Sequence, residues 1–148
     1  MKPFDPRSII FAKHAQHVVL VHFPIALCLV SIGFDFIAQW RKSRTLAEAA
    51  YYNLLMAALS TIPVIATGLL AWHFQLEGQR LKGTLLLHLV LGTLASALIW
   101  LVWSFHFRAH RDPERKLSSW RLPVEIVAVA VVSLTAHLGG FLSGVNGS

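Results

Sequence analysis

One cysteine, seven acidic residues and scarcely any uninterrupted polar sequence mark this 148-residue chain by what it lacks. The single Cys28 excludes a disulfide framework and also the C-x-x-C-H attachment of a covalent haem, so any haem must be held non-covalently. There is no G-x-S-x-G, Walker loop, H-E-x-x-H or dinucleotide fingerprint, which removes the common soluble-enzyme chemistries. Charged residues make up only 14% of the chain against 55% hydrophobic, a balance too apolar for a soluble domain of this size. No internal repeat or low-complexity tract stands out.

What the chain has is four apolar stretches, near Val18 to Ala38, Tyr51 to Phe74, Gly83 to Phe107 and Leu122 to Ser143. Each approaches the roughly 20 residues that a helix needs to cross the hydrocarbon core. The expected fold is therefore all-α: one integral-membrane, antiparallel four-helix bundle spanning residues 1–148, with residues 1–14 as an interfacial segment in which Ser8 caps a short helix. The first stretch is too long for a signal-peptide core and is kept as structure. A pI near 10.1 invites nucleic acid as a partner, but the Lys and Arg residues lie in connections between spans, so topology explains them. Eight of them (Arg41, Lys42, Arg44, Arg108, Arg111, Arg115, Lys116, Arg121) belong to one face and five (Lys2, Arg7, Lys13, Arg80, Lys82) to the other. The positive-inside rule then puts both termini outside. Trp40, Trp72, Trp103 and Trp120 are expected at span ends, as an aromatic belt. The run Asp112 to Lys116 reads as a solvated loop, and the glycine-rich tail from Gly139 is expected to end the last helix.

Six of the eight histidines, His14, His17, His22, His73, His88 and His137, fall at the end of the bundle that carries both termini. Ionisable side chains in a bilayer are costly, so a convergent set of them is a functional-site hypothesis. At about 1.5 Å per residue, His22, His88 and His137 come out level, roughly 6 to 9 Å below the interface, with His73 shallower. Imidazoles projecting from facing helices are how four-helix bundles hold cofactors. His22, His88 and His137 are accordingly the expected haem or metal ligands, with His73 as substitute, in a slot lined by Gly92, Ser96, Ser133 and Gly140. The plainer account is that the histidines bond neighbouring helices and interfacial water, and that small residues merely let helices approach.

His14 and His17 read as interfacial residues, and His106 with His110 as a basic, headgroup-contacting end. Pro24 and Pro63 should disturb their helices at Leu20 and Leu59. Asp35 lies about 220° around the helix from His22 at 3.6 residues per turn, outside the histidine site. With Glu125 it is expected to pair with a basic side chain such as Arg41 or Arg121, or to accept protons.

The string His22-Phe23-Pro24-Ile25-Ala26-Leu27, with Asp35 further along the span, resembles the first helix of the bacterial DUF2231 family of small membrane proteins. Ala136-His137-Leu138-Gly139-Gly140, with Gly144-Val145, is similar to that family's closing element, and Thr67-Gly68-Leu69 and His88 fit the same pattern. The resemblance covers essentially the whole chain, apart from a tyrosine-containing extension that it lacks. It implies the bacterial inner membrane and redox company. The leading expectation is an electron-transfer protein like a small cytochrome b, a redox subunit rather than a stand-alone enzyme, with haem b near the outer face exchanging electrons with quinone or an external carrier. The alternatives are a non-catalytic scaffold or assembly subunit of a larger complex, and a copper or zinc site on the same histidines.

Overall fold

The computed structural model describes residues 13–75, 80–112 and 119–143, all helical apart from short turns. The expected interfacial segment, the loop after Asp112 and the last five residues lie outside that range almost entirely. Helix α1 (Lys13–Leu20) leads at Val21 into α2 (His22–Arg41), followed by α3 (Arg44–Gln75), α4 (Gly83–Arg111) and α5 (Arg121–Leu142). Helices α1 and α2 together, and each of the other three, are long and apolar enough to cross a membrane. Pro24 has no N–H to give the Leu20 carbonyl, and the break at Val21 falls beside that carbonyl as the sequence predicts. Pro63, in contrast, is accommodated within an uninterrupted α3.

A two-residue turn joins α2 to α3. Lys42 adopts the left-handed conformation (φ 52°), and Ser43 N–H donates to Ala38 O at 2.8 Å, closing the helix end in the manner of a Schellman motif. Helix α2 packs on α3 and α4 on α5, and the two hairpins meet where α3 touches α4 and α5 touches α2. The helices thus form a ring in which α2 lies diagonal to α4, and α3 to α5.

The buried residues show why these four helices pack as they do. Those on the seam are Pro24, Cys28, Ser31 and Asp35 on α2; Ala50, Leu54, Ala57 and Thr61 on α3; Ala95, Ile99, Val102 and His106 on α4; and Arg121, Glu125, Ala128 and Val132 on α5, with Ile32, Ala38, Ala58 and Ala71 buried beside them on the first hairpin. Every helix uses the same 4-3-4 spacing, which keeps one seam turned toward its neighbours. Eight of the buried positions on the first hairpin also have a buried counterpart 71 residues later on the second, among them Pro24 with Ala95, Asp35 with His106, Ala50 with Arg121 and Thr61 with Val132. The two hairpins thus share one seam spacing. The side chains at paired positions differ, which conceals the shared spacing in the letters.

Large apolar side chains off the seam, among them Phe23, Phe36, Ile62, Leu94 and Ile126, are exposed, as a lipid-facing surface requires. Trp40 and Trp120 are exposed at helix ends, as expected of a belt. Trp103 is not a belt residue: it is half-buried against the core, stacked on Phe107 and edge-on to Trp100. The last helix ends at Leu142, within the glycine-rich tail that was expected to end it.

Candidate functional site

Continuing the 4-3 spacing toward the terminal end extends the seam through His17 and Val21, Val64 and Gly68, His88 and Gly92, and Thr135 and Gly139. All eight are half-buried rather than buried. His17 and His88 are 71 residues apart, as are Gly68 and Gly139. The shared spacing thus sets an imidazole on each of two helical segments and a glycine on each of the other two.

The two imidazoles each lie against a glycine but are held differently. His17 Nδ1 lies 3.1 Å from Val64 O and 3.3 Å from Thr67 Oγ1. Since the carbonyl only accepts, this ring carries its proton on Nδ1 and its lone pair on Nε2, the arrangement that orients metal-binding histidines. A Cβ added to Gly68 would stand 2.9 Å from His17 Cε1, so glycine is what lets this ring lie against α3. His88 approaches the Thr135 backbone, the equivalent of Val64, without closing a hydrogen bond, and its buried Nδ1 has no partner among the described residues. A Cβ on Gly139 would lie 3.2 Å from His88 Cε1.

The other expected ligands point elsewhere. His22 is exposed and its Nδ1 donates back to Val18 O at 2.7 Å. His137 is exposed, edge-on to Phe141, and His73 is exposed, edge-on to Phe74. The expectation for His22, His88 and His137 weighed depth without angle: His22 is five residues from the seam position His17, and His137 two from Thr135, and both side chains are exposed. Ser133 is likewise exposed, and Thr135 takes its expected place on the seam. Gly92, Ser96 and Gly140 are half-buried.

At the opposite end the seam closes on an ionic cluster that the sequence only half disclosed. Arg121 Nη1 lies 2.8 Å from Asp35 Oδ2, an ion pair without the alignment of a hydrogen bond, and its Nε is 3.7 Å from Glu125 Oε1. His106 Nε2 is 3.0 Å from Glu125 Oε1, and Gln39 Nε2 donates to Asp35 Oδ2 at 3.0 Å. Asp35, His106, Arg121 and Glu125 are all buried. Arg121 starts α5, where the helix dipole disfavours a cation, and the Asp35 carboxylate offsets that penalty. The expected pairing of both carboxylates with Arg121 holds, while Arg41 is exposed. His106 does not contact headgroups: four residues separate it from His110, which is exposed and stacks on Tyr51 at 4.3 Å. The 4-3 spacing was the missed signal, because it carries all four ionisable residues inward. The angle of Asp35 from His22 was right; His22 is the residue that faces out.

Asp35, His106 and Glu125 are the one group of three metal-type ligands that converges among the described residues. No match was found among curated proteins or solved structures. A family model described as "Predicted membrane protein (DUF2231)" matches residues 13–147, and by that match over nearly its full length the chain belongs to the DUF2231 family of membrane proteins.

Proposed function

We propose that this chain is a membrane electron-transfer protein that binds one non-covalent b-type haem at its terminal end, where His88 and His17 would hold it. The observation that carries this reading is the half-buried layer at which two helical segments bring imidazoles to the seam and the other two bring glycines. Glycine leaves room beside each ring that a methyl group would fill, and the Nδ1 contact of His17 fixes the tautomer a ligand needs. His88 remains from the set expected from the sequence. His17 replaces His22 and His137, whose side chains leave the seam, and His73, which lies beyond it. A bound haem would supply one-electron chemistry; the protein's part is to present two imidazoles, exclude water and bring the group within reach of quinone or an external carrier.

The lysines and arginines support an orientation with this layer on the outer side of a bacterial inner membrane. Arg121 is buried in an ion pair and drops out of the topological count, leaving seven basic residues against five.

The test is the reduced-minus-oxidised visible spectrum of the purified protein. Sharp bands of a six-coordinate b-type haem are expected, lost or broadened in His17→Ala and in His88→Ala and retained in His22→Ala, His73→Ala and His137→Ala. Protein with no Soret absorption after haem supplementation during expression would end this reading and leave the scaffold role.

A further inference from the structure

The ionic cluster at the other end of the seam is not used by the haem reading and stands independently of it. The 4-3 spacing carries its members inward from three helices: Asp35 from α2, His106 from α4, Arg121 and Glu125 from α5. The fourth helix contributes Ala50 and Leu54 at the equivalent seam positions, both buried and uncharged. Two carboxylates against one guanidinium leave a surplus of negative charge, and ionic groups sealed among apolar helices are costly. Glu125 is fully buried, yet its Oε2 has no hydrogen-bond partner among the described residues. Buried carboxylate oxygens ordinarily have one, and in surroundings of surplus negative charge the partner this oxygen calls for is a cation.

The spacing suits coordination. Ligand atoms of Asp35, His106 and Glu125 all lie within 4.8 Å of one another, and His106 Nε2 stands 3.0 Å from Glu125 Oε1. Two ligands bound to one ion at about 2.0 to 2.2 Å are roughly 3 to 3.5 Å apart, so this pair already has the separation that an ion requires. Arg121 does not take the place of that ion. Its Nη1 approaches Asp35 Oδ2 without the alignment of a hydrogen bond, and its Nε stays 3.7 Å from Glu125 Oε1. Gln39 Nε2 donates to the same Oδ2. Both contacts fall on one oxygen of Asp35, and the carboxylate has a second with which to coordinate. Outer groups that hold a ligand carboxylate in this way are the support metal sites generally have.

We propose that Asp35, His106 and Glu125 bind one divalent first-row transition-metal ion, with Arg121 and Gln39 positioning Asp35. One imidazole with two carboxylates is softer than the all-oxygen cages of Mg2+ and Ca2+ and lacks the thiolates of a structural zinc site, so it fits Mn2+, Fe2+ and Zn2+. As the cluster stands, His106 Nε2–H donates to Glu125 Oε1, since the carboxylate only accepts. On binding, that proton moves to Nδ1 and the Nε2 lone pair goes to the ion, so the imidazole stays neutral throughout. The way in is marked by Gln39, which is exposed and lines an open groove with Phe36, Ile37, Trp40 and Leu122.

The experiment is equilibrium dialysis of the full chain in detergent, purified without a histidine tag and stripped with chelator, against Zn2+ alone, with the metal counted by elemental analysis. The native chain should bind one Zn2+ more than Glu125→Gln or Asp35→Asn, in which affinity at the cluster falls at least about tenfold. Because the measure is a difference, it holds whatever the histidine layer takes. X-ray absorption at the zinc edge of the His17→Ala/His88→Ala protein leaves the cluster itself unaltered, and one imidazole among oxygen ligands is expected there. Equal zinc in native and folded Glu125→Gln protein overturns the proposal, as does a native chain that binds none. A zinc shell with two or more imidazoles, or with no imidazole, places the ion elsewhere and overturns it as well. The haem spectrum is read separately, so either reading can fail without the other.

Discussion

At the ionic end the seam is sealed by side chains long enough to cross it, Arg121, Glu125 and His106 among them. Two turns beyond Pro24, Thr61, Ala95 and Val132 the same spacing continues, yet none of its eight positions is buried. Both layers obey one helical repeat, so spacing decides only which way a residue points. What closes a layer is side-chain volume, and at the histidine end two of four helices provide glycine. The first layer is a set of buried charges in ion pairs, the second a set of half-buried imidazoles and glycines.

The largest effect expected from breaking that contrast is at the ionic end. Arg121→Met strips two buried carboxylates of their cation and should cost about 3–5 kcal/mol in thermal or denaturant unfolding in detergent. Replacing Asp35 and Glu125 with Leu in the same chain should recover most of that loss, since an apolar layer of similar volume is often as stable as a buried ion cluster; no recovery would mean that the cluster is not the source of the cost. At the histidine end Gly68→Ala, whose Cβ meets His17 at 2.9 Å, should cost about 1–3 kcal/mol, and Gly139→Ala, with 3.2 Å to His88, less. Equal costs would mean that the two imidazoles are not held differently. Gly92 is the internal control: an added Cβ there meets Thr135 Cγ2 at 3.7 Å, an ordinary contact, so Gly92→Ala should stabilise by about 0.5–1 kcal/mol through helix propensity alone.

Which layer faces outward is measured with an impermeant thiol reagent on intact cells. Lys82→Cys should label, and Arg44→Cys only after permeabilisation. Cys28 can remain, because it is fully buried. The reverse pattern would put the histidine layer inside.

Four spans and their all-helical bundle were legible in the sequence because apolar length is a strong signal, and Pro24 and the Arg121 pairings followed from local chemistry. Which histidines lie on the seam was not, because depth along a helix was weighed without its angle, and His22 and His137 are exposed while His17 and His88 are half-buried. The spacing shared by the two hairpins escaped for a related reason. Burial recurs 71 residues on while identity mostly does not: Asp35 answers to His106, Leu54 to Glu125, and only a few pairs, such as His17 with His88 and Gly68 with Gly139, keep the same letter. Trp103 shows the limit of composition rules, since an aromatic residue near a span end is equally suited to pack inside.

The sense in which the two hairpins run has one more consequence. Carriers built from inverted repeats obtain an oppositely facing state when their halves trade conformations. Here the segments 17–68 and 88–139 thread the bundle in the same direction, so a trade of shapes restores a molecule that faces the way it did before. Imidazoles stay on one side and carboxylates on the other in every state the halves can reach by exchange. Covalent order alone sets the imidazoles at one end of the bundle and the buried carboxylates at the other.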